Sequence, residues 1–262
     1  MTGPRGVVIL IALRRTSMLP TKILIPVLTA TCTGWLALPL VAQSYPATHD
    51  AHASAATPRP AAGPLGAIHA HVCGFHFYSG DMTRALPVHH YCSHLNPDVF
   101  QCVIYDSDQA NARLLGVEYI ISEKLFVRLP ADEKPLWHSH RYEVMSGLLI
   151  APGLAAAPER ELMQELVNTY GKTWHLWQVD RGDAVPLGLP KLMMGFTADG
   201  QAGAQMVADR DRAQRINSAE VKARRTDLSA RPVSGDADAW QHGPAFQIKD
   251  DLLPSARPAP RP

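Results

Sequence analysis

Apolar and polar positions alternate with a period of two along much of the middle of the chain, which is the signature of half-buried strands. Ile68 to Phe77 reads as a strand with His69, His71 and Cys73 on one side. Val88 to Leu95 is a second, Asn96-Pro97-Asp98 a turn, and Val99 to Tyr105 the returning strand. A three-residue loop in that hairpin sets Cys92 opposite Cys102. Arg113 to Ile121 is a further strand, after which Ser122 caps a short helix running to Arg128 and stopped by Pro130. The segment from Leu136 leads into a strand that reaches Ile150 and ends at Ala151-Pro152-Gly153.

One stretch has helical spacing instead. From Pro158 to Tyr170, Leu162, Leu166 and Tyr170 recur at every fourth position, Pro158 suits a first turn, and Gly171 closes the helix. Lys172 to Val179 then returns to strand, and Gln205 to Leu228 reads as one or two charged surface helices. Many strands with few helices, in no regular βα alternation, predict an α+β fold: a mostly antiparallel sheet with a few helices in a single domain.

The ends do not share this pattern. Arg14, Arg15 and Lys22 precede an apolar run from Ile23 to Val41 that exits at Ala42, the layout of an export signal over 1–43. Met18 is then an alternative start, and an uncleaved membrane anchor the alternative fate, since about twenty apolar residues can span a bilayer. An Ala/Pro/His-rich linker follows over 44–66, the folded domain occupies 67–200, and a charged helical extension with a disordered tail fills 201–262. The expected location is periplasmic or extracellular.

Composition narrows the partners. With 25 basic and 24 acidic residues among 262, the chain lacks the basic face that nucleic acid requires. Nothing in the sequence addresses oligomeric state. The twelve histidines are the unusual feature. No nucleophile elbow, Walker loop, dinucleotide fingerprint or zincin helix is present.

The candidate chemistry centres on Leu136-Trp-His-Ser-His-Arg-Tyr-Glu-Val144. In extended backbone His138 and His140 share a face, while Glu143 points away unless a turn intervenes. Candidate metal ligands are His69, His71, His90, His94, Cys92, His138 and His140, with Glu118 or Glu143 as an oxygen donor. Zinc or another transition metal suits imidazole and thiolate. His90, Cys92 and His94 span about 13 Å on one strand, so at most two of them can share an ion. Cys92 has a second reading, a disulfide with Cys102, which leaves Cys73 unpaired. His138-Ser-His140 with Glu143, and Gly182-Asp183 with Pro186, look like fragments of the two cupin metal motifs, with the final histidine missing. Arg181, Trp137 and Tyr142 are candidates for an anion or ligand clamp. The loop from Val185 to Met194 either docks on a lipid surface or covers the domain's own core.

Several long segments carry a resemblance. His69-Ala-His-Val-Cys-Gly-Phe-His-Phe77, His89-His-Tyr-Cys-Ser-His94, Gln101-Cys-Val-Ile-Tyr-Asp-Ser107, the His138 motif, and Tyr170-Gly-Lys-Thr-Trp-His-Leu-Trp-Gln-Val-Asp-Arg-Gly-Asp183 resemble the oil body-associated protein family. The likeness spans roughly 67–200. It implies seed lipid-droplet association for plant members and a bacterial member of a domain-of-unknown-function family here, with no established catalytic activity. The export signal and the tail depart from the plant pattern. Two function classes follow: a non-enzymatic binding or structural protein at a lipid or envelope surface, and a metal-binding protein or metalloenzyme built on the His-x-His pair.

Overall fold

The computed structural model describes residues 63–243 and 245–249, which all fall in the second of two units, Thr57–Pro262. The expected signal segment lies outside the described residues, as does almost all of the linker. No helix among the described residues is long and apolar enough to cross a membrane.

Seven strands form the framework: β1 (Ala70–Tyr78), β2 (Asp81–Asn96), β3 (Val99–Tyr105), β4 (Leu114–Ser122), β5 (His138–Ser139), β6 (Thr169–His175) and β7 (Lys191–Met194). All pair antiparallel, and the β4–β6 pairing closes β1, β2, β3, β4, β6 and β7 into a six-stranded barrel. Closure removes the free sheet edges. β5 adds to β6 on the edge that β7 also uses, through His138 opposite Gly171. The barrel is a more specific architecture than the α+β expectation, and it explains the near-absence of long helices.

Register settles which face of each strand points inward. Val72 pairs with His90, His90 with Ile104, Cys102 with Glu118, Glu118 with Thr173, and Gly116 with His175. Cross-strand partners share a face, so this set, with His76 two steps along from Gly74, lines the interior. Two apolar layers fill the barrel's ends. One joins Val72, Phe100 and Ile120 to Met163 and Leu166 of a helix, the other joins Leu86, Val88, Ile104 and Met193. Between them lies a polar layer.

The hairpin register expected for β2 and β3 is present, and Cys92 and Cys102 are disulfide-bonded with Cys73 free and buried. Three expected elements change. The strand expected to run through to Ile150 stops at Ser139. Arg141–Ser146 is a helix, α2, preceded in the chain by the one-turn α1 (Glu123–Phe126). Gly147, at φ 78°, supplies the left-handed residue that ends α2. Helix α3 covers Ala156–Leu166, not Pro158 to Tyr170, because pairing of Tyr170 with Ile121 draws that residue into β6. The loop expected over Val185 to Met194 yields its second half to β7, where Leu192, Met193 and Met194 are fully buried.

The segment expected to hold one or two charged helices forms two, α4 (Ala204–Gln214) and α5 (Ser218–Arg224), and both pack against the rest of the fold. Met206 and Val207 of α4 pack on Phe75 and Phe77, the outward side chains of β1. Arg210 donates to the carbonyls of Leu148 and Gly147, and Arg225 to those of Val144 and Leu149. Both arginines are buried, so they satisfy backbone acceptors at the end of α2 that would otherwise have no partner. Past α5, Asp238 accepts from the backbone N–H and the hydroxyl of Ser139, clamping the chain over the His138 motif.

A buried cluster of imidazoles and carboxylates

The polar layer holds His76, His90, Glu118, His138, His140, Glu143 and His175, none more than 6% exposed. Burying so many ionisable groups costs free energy that packing alone would not tolerate. Strand parity delivers His76, His90, Glu118 and His175. β5 delivers His138, and the turn into α2 delivers the rest: His140 sits at the start of the helix and Glu143 follows three residues later on the same face. A straight strand would have sent Glu143 away; the helical turn brings it in.

Glu118 is the hub. Its Oε2 lies 2.9 Å from His90 Nε2, and its Oε1 lies 3.2 Å from His140 Nε2 and 3.4 Å from His138 Nε2. His90 Nε2 is 3.3 Å from His76 Nε2. His138 Nδ1 has no hydrogen-bond partner, Nε2 has only the long contact to Glu118, and the ring is fully buried. Two glycines make the convergence sterically feasible. A Cβ on Gly171 would sit 2.0 Å from Glu118 Oε1, and one on Gly195 would sit 2.5 Å from Glu143 Oε2.

The surrounding hydrogen bonds fix ring orientation. Thr169 gives its only hydroxyl proton to the Leu166 carbonyl at 2.7 Å, so it accepts from His140 Nδ1 at 2.8 Å. In a neutral ring, His140 Nε2 then presents a lone pair to the carboxylate, so the 3.2 Å contact needs either a proton or a metal ion between the two acceptors. His76 is held through Nδ1 by His175 Nε2 at 3.1 Å. Such outer partners are what metal-ligating histidines use to set their tautomer.

Electrostatics follow burial first. Burial pushes the Glu143 carboxyl up to about 8 and drives the His175 imidazole down to about 3. It also pulls His76 well below, and His140 below, the ordinary imidazole value. Burial raises Glu118 too, but the His90 charge and the three imidazoles around the carboxylate outweigh it and hold it well below the usual range. For His138 burial acts downward, and the Glu118 carboxylate reverses it, so that ring stays above its usual value.

Of the ligands expected from sequence, His90, His138, His140 and Glu143 come together with Glu118. His69, His71, His94 and Cys92 do not join them. His69 is exposed and pairs with His94, which reaches Glu165 at 2.8 Å. His71 lies on the outer face, 3.0 Å from His89 and stacked on Tyr91. Cys92 is committed to its disulfide. Arg181 is tied into its own turn by Asp183, Gln178 and the Leu187 carbonyl, and this holds the second cupin-like fragment away from the cluster. Trp137 packs in the core and donates to Glu133, while the Tyr142 hydroxyl donates to Asp199. His76 and His175 were not foreseen. Their signal is parity: both share the inward face with glycines, Gly74 and Gly116, at positions where strands crowd together.

Comparison with known proteins gives the same relatives throughout. Residues 62–229 match the family described as "Protein of unknown function (DUF1264)". Oil body-associated protein 1A of Zea mays is 56% identical over 138 residues, covering 53% of this chain and 58% of that protein. Oil body-associated protein 1B of Arabidopsis thaliana is 50% identical over 149 residues, covering 57% and 62%. Oil body-associated protein 2A of Zea mays is 43% identical over 196 residues, covering 73% and 77%. The chain thus spans about three-fifths of the length of the first two. No solved structure matches.

Proposed function

The chain belongs to the oil body-associated protein family, and from that premise we propose that it is a metal-binding protein whose barrel interior holds a transition-metal ion on Glu118 and the imidazoles around it. One observation carries the reading. The donor-to-donor separations of 2.9, 3.2, 3.3 and 3.4 Å around Glu118 match the edges of a coordination shell. Metal–nitrogen bonds of about 2.0–2.1 Å give edges of about 3.3 Å in a tetrahedron and about 2.9 Å in an octahedron. Imidazole and carboxylate donors without thiolate suit zinc, iron or copper.

The test is metal analysis of the purified protein beside Glu118→Gln and His138→Ala. Stoichiometric metal is expected in the parent chain, and in each variant an affinity at least tenfold weaker for an ion that the lost side chain holds, because both remove a ligand from a buried shell. Parent protein that emerges metal-free and takes up no zinc, iron(II) or copper(II) in calorimetric titration would contradict the reading.

A second proposal concerns location. We place the protein at a lipid or envelope surface after export, as a bacterial relative of proteins whose names tie them to oil bodies. Its support on the structure is the outer face of β4, where Val117 and Tyr119 are 37% and 47% exposed beside Leu65 at 68%. Co-flotation with phospholipid vesicles is expected, and a Val117→Ser/Tyr119→Ser double variant should sink. Equal flotation of both proteins would remove this face from the proposal.

A further inference from the structure

The interior cluster is larger than one ion requires. Six side chains offer donors: His76, His90, Glu118, His138, His140 and Glu143. A zinc-like ion in protein takes four ligands, commonly three from the chain in an open site. These donors do not surround one point evenly. They divide about the Glu118 carboxylate, whose two oxygens face different partners. Oε2 meets His90 at 2.9 Å, and the His90 nitrogen meets His76 at 3.3 Å. Oε1 meets His140 at 3.2 Å and His138 at 3.4 Å.

The ligand atoms also fall into two overlapping sets rather than one. His76, Glu118 and His138 bring donors within 4.8 Å of one another, and so do His138, His140 and Glu143. The two sets overlap only at His138, whose Nδ1 has no hydrogen-bond partner and whose Nε2 faces Glu118 Oε1 at 3.4 Å. The outer shell is doubled as well. His175 orients His76 on one side of Glu118, and Thr169 orients His140 on the other. A single site would leave one of these supports, and Glu143, without purpose.

We infer that the barrel holds two transition-metal ions bridged by the Glu118 carboxylate, one on the His76/His90 side and one on the His138/His140/Glu143 side. This rests on the metal-binding reading above and goes beyond it in number and connectivity. A bridging carboxylate sets such ions about 3.5–4 Å apart, the spacing at which paired ions act on one bound oxygen ligand. Two dications against two carboxylates leave a net positive pair in a buried layer, so the natural further ligand is an anion or hydroxide, in keeping with the open position left on the His76/His90 side, where Glu118, His76 and His90 supply three donors against four on the other.

Two measurements decide it. Zinc-loaded parent protein, freed of loose metal by gel filtration, should hold two ions per chain, while His76→Ala and His140→Ala should each retain one. The copper(II)-loaded parent requires no variant to fold: bridged ions couple, so its electron paramagnetic resonance should show a half-field transition or a spin count well below the copper content. One ion per chain, with copper spins fully accounted for and no half-field line, overturns the paired centre and leaves a single site standing. No bound metal at all overturns both the pair and the reading beneath it.

Discussion

Gly171→Ala is expected to empty the barrel of metal and to lower the melting temperature by roughly 6–12 °C, taking about 3 kcal/mol of overpacking at 2–4 °C per kcal/mol for a unit of this size. The added methyl would lie 2.0 Å from Glu118 Oε1 and 2.8 Å from both His138 Cε1 and His140 Nε2. None of these groups can retreat, since Glu118 is held on its other oxygen by His90 and the two rings are enclosed. Gly171 has no left-handed backbone to lose, so the effect is steric alone. Gly203→Ala is the control. Nothing lies within 4 Å of its Cβ position and its φ is −60°, so metal content and melting should not change. A Gly171→Ala protein with full metal and an unshifted melt would refute the packing described for the cluster.

Arg210→Ala should cost about 3–5 kcal/mol of unfolding free energy, the usual penalty for removing one partner from a buried charged network. The guanidinium donates to Leu148 O at 2.6 Å, to Gly147 O at 3.1 Å and to Ser218 Oγ at 3.0 Å, pairs with Asp211, and lies 4.7 Å over the Phe75 ring. Its loss strands two carbonyls just beyond the helix that carries Glu143. Metal affinity should therefore fall along with stability, although Arg210 touches no ligand. Arg210→Lys should recover little, because a single ammonium nitrogen cannot reach the acceptors that Arg210 serves from three separate nitrogens. Urea denaturation of apo protein reads the first effect and zinc titration the second. A loss under about 1 kcal/mol would mean that α4 merely rests on the barrel.

β1, β3, β4, the second half of β2 and most of β6, with the β2–β3 register, are legible from the sequence because period-two patterning and a short turn fix them locally. Which face looks inward is not, and this is why His69, His71 and Cys73 stand out where His76 belongs. A half-buried open sheet and a closed barrel share the same alternation, but in a barrel helices can cover the outer face too. Phe75 and Phe77 are buried under α4 on that outer side, so hydrophobicity marks both faces of β1 and no longer distinguishes them. The glycines were the better guide. Gly74, Gly116 and Gly171 all sit on the inward parity, each where a Cβ would collide with a neighbour. The helical turn at Arg141 has no signal in the sequence because six residues carry too little pattern, and its end is secured by arginines about sixty to eighty residues downstream. The site was half legible for the same reason: His138, His140, His90 and Glu118 or Glu143 are visible as chemistry, while their meeting point depends on closure between β4 and β6.

The most direct test of the central claim, a transition metal on Glu118 inside the barrel, is anomalous X-ray scattering from crystals of zinc-supplemented protein, recorded on both sides of the zinc absorption edge. The account predicts difference density in the polar layer, about 2.0–2.2 Å from a Glu118 oxygen and from at least two of the Nε2 atoms of His90, His138 and His140. Featureless density there, with Glu118 hydrogen-bonded directly to protonated imidazoles, would contradict it.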